Sequence, residues 1–203
     1  MTQTPLPTIP QTDQRLVYPS IPWQQFKLIQ AGFANSPNIR LGYYNNTIEI
    51  LMPGREHEVF SRIIGFLISL FCLEKGIEFE PTGSMTQEKE GVVSAQGDES
   101  YCFGESKPIP DLVIEVVFTS GGLDKLQRYQ ALGVLEVWFW QDGLFSLYHL
   151  RNDGYEKITR SKIPELATLD LELLTRCVLI AQTSRLEAAQ EFRKEIKSSE
   201  KGV

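Results

Sequence analysis

The segment PDLVIEVVF, residues 110–118, decides the fold. Residues 112–118 are almost continuously apolar and β-branched, which is typical of a central strand buried on both faces of a sheet. Glu115 interrupts this run with a carboxylate. Burial of a carboxylate costs free energy unless the group is paired, hydrogen-bonded or bound to a metal. The pattern therefore predicts either a metal site or a core ion pair at Glu115, and periodicity alone favours the two equally.

The flanking segments predict helices that alternate with strands. Apolar residues recur at spacings of three and four between residues 56 and 75, which predicts an amphipathic helix. Apolar runs flank residues 45–46 (Asn-Asn) and 142–143 (Asp-Gly), which predicts two β-hairpins. Residues 87–97 are polar and predict a loop, and residues 169–197 predict a long helix. We expect an α/β fold in which helices flank a mixed sheet.

Length and composition bound the organisation of the chain. The 203 residues suffice for one domain with a helical tail. Residues 1–20 are rich in Pro, Thr and Gln, which predicts a disordered lead. We expect a single domain over residues 21–200 that includes the C-terminal helix. The formal net charge of −6 argues against a protein that coats nucleic acid through bulk charge, although it is compatible with a local basic cleft.

The cysteines and the apolar runs bear on the compartment. Cys72, Cys102 and Cys177 are far apart and lack the spacing of a zinc site or a disulfide framework. They are typical of small buried residues in a reducing compartment. The longest apolar run, residues 63–73, is too short to span a bilayer, and the N-terminus lacks the pattern of a signal peptide. We expect a cytoplasmic protein without a membrane partner.

Two carboxylates are candidates for a metal site. Side chains alternate faces along a strand, so Glu115 shares one face with Val113 and Val117. Asp98 precedes a short predicted strand, residues 100–103. Two carboxylates on neighbouring strands, with main-chain oxygens beside them, are ligands that Mg²⁺ or Mn²⁺ prefers. Taken alone, Asp98 more simply predicts a cap where a loop meets a strand.

Lys125 and Glu58 are two further candidates. Lys125 lies near the beginning of a predicted helix, residues 124–132, where its amine could orient a water or offset charge on a phosphate. Without other evidence, a solvated position is the simpler interpretation of this lysine. Glu58, near the beginning of the helix over residues 56–75, could extend the metal site or orient a water. It could equally be a favourable charge at a helix N-terminus.

These residues together resemble the bacterial Uma-two family, whose members are labelled as candidate restriction endonucleases. The resemblance rests on PDLVIEV (residues 110–116), Lys125, Tyr129 and GVLEVW (residues 133–138). It extends over roughly residues 22–195, through segments 52–54, 57–58, 83–84, 98–100 and 161–164 and into the final helix.

The resemblance implies a PD-(D/E)XK (restriction endonuclease-like) fold, an α/β architecture with a mixed β-sheet flanked by helices. In that superfamily an Asp begins one strand and Glu-x-Lys lies on the next, which Asp98 and Glu115 match. The resemblance implies that these carboxylates hold Mg²⁺ (or Mn²⁺) with the carbonyl of Val116. The Glu-x-Lys lysine position is Val117 here, and the family is expected to supply the lysine from the following helix, at Lys125.

A second departure is Gly97, which precedes Asp98 where the superfamily has Pro. Glu58 matches a helix carboxylate that is often found near such sites. The resemblance implies hydrolysis of DNA phosphodiester bonds, with Lys125 orienting the attacking water, by a protein that acts as a homodimer. The alternative is a non-catalytic binding or regulatory protein that retains the nuclease fold. The acidic net charge and Val117 favour this alternative, whereas Asp98, Glu115 and Lys125 together favour an enzyme.

Overall fold

The computed structural model describes residues 12–36, 38–118 and 124–200. The helices are α1 Trp23–Gly32, α2 Arg55–Lys75, α3 Asp124–Leu132, α4 Leu171–Ala181 and α5 Arg185–Glu200. The strands are β1 Gln14–Tyr18, β2 Arg40–Tyr44, β3 Thr47–Met52, β4 Phe79–Pro81, β5 Thr86–Lys89, β6 Val93–Gln96, β7 Glu99–Phe103, β8 Leu112–Val117, β9 Glu136–Gln141, β10 Leu144–Arg151 and β11 Gly154–Ile158.

The strands form two sheets. The small sheet has the order β1-β3-β2-β6-β5, and all its neighbouring strands are antiparallel. The large sheet has the order β11-β10-β9-β8-β7-β4, in which β8 and β9 are parallel and the other pairs are antiparallel. The predicted combination of helices with a mixed sheet is confirmed, but the strands divide between two sheets where one was expected.

Strand β8 lies inside the large sheet, as its apolar sequence predicts. Leu112, Ile114 and Val116 belong to a buried cluster with side chains of α2, α4 and α5. Val113 and Val117 belong to a second cluster on the opposite face, which contains side chains of α3 and of β6 from the small sheet. Because both faces are covered, a continuous apolar run is what burial requires here.

Three of the predicted boundaries are wrong. Residues 87–97 contain most of the antiparallel hairpin β5–β6, whose strands are hard to recognise because most of their side chains are polar. The long helix predicted over residues 169–197 is divided into α4 and α5, where the hydroxyl of Ser184 accepts a hydrogen bond from the N–H of Glu187. The disordered lead predicted for residues 1–20 contains β1, which pairs with β3, and residues 1–11 lie outside the described residues.

A buried group of charges ties α3 to the small sheet. Glu49 of β3 is 3% exposed and lies 2.7 Å from Arg15 Nη2 and 2.9 Å from Arg128 Nη2 of α3. Gly42 on the neighbouring strand β2 leaves room for the guanidinium of Arg128, because a Cβ at residue 42 would overlap Arg128 Nη1. Burial alone raises the pKa of Glu49, but the charges of Arg128, Lys125 and Arg15 more than offset this and lower it to about 2. The orientation of α3, which carries Lys125, thus depends on Glu49.

Substitution of Glu49 by Gln is expected to reduce the free energy of unfolding by about 3 kcal/mol at neutral pH, because it leaves Arg128 without its buried partner. The folded-state pKa of Glu49 is depressed, so its stabilisation is present above the unfolded pKa and is lost as pH falls towards about 2. Urea unfolding of both proteins should show a difference that shrinks between about pH 5 and pH 2. Glu156→Gln, at an exposed pair with Arg151, is the control and should change little. A difference that does not vary with pH would contradict this account of Glu49.

Candidate active site

Asp98 lies beside Glu115 at the edge of the β7–β8 ladder. The last pair of the ladder is Glu99 with Ile114. Beyond it, the N–H of Asp98 donates to the carbonyl of Ile114 at 3.0 Å, and the N–H of Val116 donates to Asp98 Oδ2 at 2.6 Å. The carboxylate of Asp98 is therefore held against the peptide that follows Glu115.

Glu115 is bonded by two side chains of α3. Lys125 Nζ donates to Glu115 Oε2 at 2.6 Å, and the hydroxyl of Tyr129 donates to Oε1. Lys125 and Tyr129 are four residues apart, so one helix face delivers both donors to the same carboxylate. Burial raises the pKa of Tyr129 well above its ordinary value, and the charge of Glu115 raises it further. Tyr129 is therefore a neutral donor that fixes the orientation of Glu115.

The second oxygen of Asp98 faces two cationic or ionisable side chains. Arg40 Nη1 forms an ion pair with Asp98 Oδ1, and His57 Nε2 lies 2.8 Å from the same atom. Both contacts are made with the same carboxylate oxygen, which is buried. The charge of Asp98 is therefore balanced inside the protein.

His57 is oriented by the segment that precedes β1. Asp13 Oδ2 lies 2.9 Å from His57 Nδ1, and Asp13 Oδ1 accepts from the N–H of Gly54 at 2.8 Å. Burial raises the pKa of Asp13, but these two hydrogen bonds and the charges of His57 and Lys125 hold it below its ordinary value. Asp13, His57 and Asp98 thus form a chain of contacts from the surface strand β1 to the centre of the site.

Glu58 reaches the site through Arg40. Its Oε1 accepts from Arg40 Nη2 at 2.5 Å, and its side chain is about one third exposed. Asp111 has a different part in the fold: it accepts from the N–H of Phe103 at 2.9 Å and from Lys107, and so holds the connection between β7 and β8. The structure brings Asp98, Glu115 and Lys125 together. Glu58 is linked to this group through Arg40.

Sequence reasoning missed Arg40 and Asp13 as site residues and left the role of His57 open. Arg40 begins β2, where it was assigned only to a hairpin, and Asp13 lies in the segment that was expected to be disordered. Neither residue interrupts an apolar run as Glu115 does. Their place beside Asp98 follows from the pairing of distant strands, for which the sequence gives no local signal.

Two spaces adjoin the site. An open groove of about 870 Å³ is bordered by α1, the beginning of α2 and the β5–β6 hairpin. A small space of about 10 Å³, which is room for about one water, adjoins Glu115 and Lys125. The groove is lined by Lys27, Arg40, Glu58, Arg62, Glu88 and Gln96, among other residues, and Arg40 and Gln96 also line the small space.

The donor set fits a small divalent cation. Across residues 12–36, 38–118 and 124–198, no group of three or more His, Cys, Asp or Glu side chains is arranged to hold a metal ion. Mg²⁺, however, is usually bound by one or two carboxylates together with waters, so a pair is enough. Asp98 and Glu115 supply that pair, and Val116 offers its main-chain carbonyl one residue from Glu115. Arg40 and Lys125 balance the charges of these two carboxylates. Both side chains would have to move away when an ion binds there.

The absence of a side chain at Gly97 is a condition for this geometry. A Cβ at Gly97 would overlap Cγ1 of the fully buried Val113, and it would also lie 3.4 Å from the carbonyl of Glu99. A larger residue at this place would push Asp98 away from Val116. The glycine is thus explained by close packing against β8.

Gly97→Ala is expected to reduce the free energy of unfolding by about 1–3 kcal/mol, because overpacking forces shifts in a dense core. The same shift should weaken any function that needs Asp98. The matched control is Gly32→Ala, where a Cβ would meet open space. Thermal unfolding of the two variants measures the effect, and equal melting temperatures would show that the position of Gly97 is not constrained.

Comparison with known proteins gives one family. A search of curated proteins found no match, and none of the helices within the described residues is long and apolar enough to cross a membrane. The model of the Uma2 family, described as "Putative restriction endonuclease", matches residues 23–179. This match includes Asp98, Glu115, Lys125 and Glu58 and spans most of the chain, which therefore belongs to the Uma2 family.

Proposed function

We propose that this protein is a divalent-metal-dependent DNA endonuclease of the PD-(D/E)XK type, with Asp98, Glu115 and Lys125 as its catalytic residues. The observation that carries the proposal is the contact of Lys125 Nζ with the buried Glu115 carboxylate, at 2.6 Å, beside Asp98. A carboxylate pair can hold a metal ion that activates water for phosphodiester hydrolysis, and a lysine beside it can orient that water. Membership of a family described as endonucleases supports the same activity.

Asp98 and Glu115, with the main-chain carbonyl of Val116, would hold Mg²⁺ or Mn²⁺. When bound, such an ion offsets charge on the phosphate and lowers the pKa of a water. Tyr129 keeps Glu115 in one orientation, because its phenol stays neutral and donates to Oε1. The pair formed by Glu49 and Arg128 holds α3, and therefore the backbone of Lys125, against the small sheet.

Lys125 orients the attacking water through its ammonium donors. The water oxygen forms a bond to phosphorus, and the bond from phosphorus to one sugar oxygen breaks, with its electron pair going to that oxygen. One proton of the water is released to solvent, and the departing sugar oxygen takes up a proton. Glu58, which is partly exposed to the groove and bonded to Arg40, is in a position to order a further water.

DNA is proposed as the substrate because an open groove leads to the site and is lined by Lys27, Arg40 and Arg62. A homodimer is proposed because two copies of the site can cut the two strands of a duplex in one binding event. Its interface would use the apolar surface at Leu144 and Leu179, which are 65% and 44% exposed beside a depression of about 530 Å³. Cytoplasmic location is proposed because all three cysteines are buried and unpaired.

One observation favours the alternative, a binding or regulatory protein without activity. Both oxygens of Glu115 are bonded by Lys125 and Tyr129, so its charge is balanced without an ion. A protein of this kind would hold DNA or another partner in the groove and leave it intact. The two functions differ in whether divalent ions produce cut DNA.

Purified protein incubated with plasmid and Mg²⁺ or Mn²⁺ is expected to nick or linearise it, and Glu115→Gln should reduce the rate by about 100-fold or more. Gln keeps the shape of the side chain but removes the charge that a metal ligand needs. Glu191→Gln on α5 is the matched control, prepared in parallel to exclude contaminating nuclease, and should cut as the wild-type protein does. Equal activity of the wild-type and Glu115→Gln proteins on plasmid, linear and single-stranded DNA would favour the binding protein.

Lys125→Met is expected to lower the cleavage rate by about 100-fold at saturating Mn²⁺ without weakening Mn²⁺ binding, because the lysine acts on the water and competes with the ion for Glu115. Isothermal titration gives the Mn²⁺ affinity and a fluorescent duplex gives the rate. Lys194→Met, on the exposed side of α5, is the control. Loss of Mn²⁺ affinity in Lys125→Met would show that the lysine stabilises the site and does not act in the reaction.

A further inference from the structure

Arg40 contacts three side chains at the candidate site. Its guanidinium forms an ion pair with Asp98, donates to Glu58 Oε1 at 2.5 Å and lies 3.3 Å from His57 Nε2. Its side chain is 13% exposed. One planar cation therefore contacts a buried carboxylate of the proposed catalytic set and a partly exposed carboxylate of the groove.

The same side chain borders two spaces. Arg40 lines the groove of about 870 Å³, and it also lines the small space of about 10 Å³ beside Glu115 and Lys125. The guanidinium is therefore next to the groove and next to the carboxylates.

The contact between Arg40 and Asp98 is an ion pair in a poorly solvated place. Asp98 is 3% exposed, and Arg40 lies against its Oδ1. A divalent cation at Asp98 would repel the guanidinium, because like charges at short range are strongly unfavourable in a poorly solvated site. Glu58 offers Arg40 an acceptor that it already uses, on the groove side.

Arginine also has the chemistry that a phosphate needs. Its guanidinium is planar and always charged, and two parallel N–H groups match two phosphate oxygens. The backbone of DNA presents such phosphates at regular intervals, and contacts to them position the duplex without reading its sequence. A guanidinium released from Asp98 would thus find a partner in a bound nucleic acid.

We propose that Arg40 is an exchangeable residue of this site, which balances Asp98 while no ion is bound and binds a DNA phosphate in the groove once a divalent ion occupies the carboxylates. The inference rests on the proposed nuclease function and adds to it the residue that couples ion binding to substrate binding. The exchange predicts that the ion and DNA promote each other's binding, since both favour the same position of Arg40.

The test uses the full chain and two binding measurements that do not depend on cleavage. Isothermal titration measures Mn²⁺ affinity, and fluorescence anisotropy of a labelled duplex in Ca²⁺ measures DNA affinity at several salt concentrations. Arg40→Gln is expected to bind Mn²⁺ about tenfold more tightly, because the competing cation is gone. Its DNA affinity should fall, the slope of log affinity against log salt should decrease by about one, and the stimulation of DNA binding by Ca²⁺ should disappear.

Arg62→Gln is the matched control. Arg62 lies in the same groove and pairs weakly with Glu99, at 3.4 Å, on an exposed side chain. Its loss should leave Mn²⁺ affinity unchanged. Arg40→Lys keeps the charge but not the paired donors, so it should bind Mn²⁺ as the wild-type protein does and DNA more weakly. If the melting curve of Arg40→Gln shows that this variant does not fold, the Mn²⁺ and DNA affinities of Arg40→Lys test the proposal instead.

Weaker Mn²⁺ binding in Arg40→Gln, or Ca²⁺ stimulation that is retained, would overturn the exchange and give Arg40 a structural role. A wild-type protein that cuts DNA while Arg40→Gln shows unchanged Mn²⁺ affinity would overturn the exchange alone. Tighter Mn²⁺ binding in Arg40→Gln with no cutting by the wild-type protein would overturn the nuclease proposal and support the exchange.

Discussion

The carboxylate of Glu115 and its two partners on α3 set the arrangement of the whole site. A charge in the middle of β8 is tolerated because Lys125 and Tyr129 bond both of its oxygens. Removal of one partner from such a buried pair is far more costly than the pair is stabilising, so α3 is bound to this face of the large sheet. Strand β8 is the most apolar strand in the sequence, and its carboxylate, Glu115, also fixes the position of α3.

The small sheet supplies further charged groups to the site. Glu49 binds Arg128 and so aligns α3, while Arg40 from β2 and His57 from α2 reach Asp98. The large sheet thus contributes the carboxylates of the site, and α3, α2 and the small sheet contribute the groups that balance them. The charges of the site are therefore balanced within the protein, which explains how an acidic protein can present a locally balanced cleft.

The sequence predicted those features that depend on local patterns. The apolar run of residues 112–118 placed β8 in the interior, and the spacing of three and four over residues 56–75 placed α2. The proximity of Lys125 to Glu115 came from the family resemblance, since the residues alone favoured a solvated lysine. Arg40 and Asp13 could not be found, because their contacts with Asp98 and His57 depend on strands that pair across dozens of residues. The β5–β6 hairpin was missed because most of its side chains are polar, a composition that is typical of a loop.

The central claim is that Asp98 and Glu115 share a divalent ion beside Lys125. Anomalous diffraction from crystals soaked in Mn²⁺ tests it most directly, because it locates the ion independently of any activity. The account predicts a strong manganese peak bridging the two carboxylates, with the amine of Lys125 nearby. A peak at another place, or none at a concentration that saturates binding in solution, would contradict it.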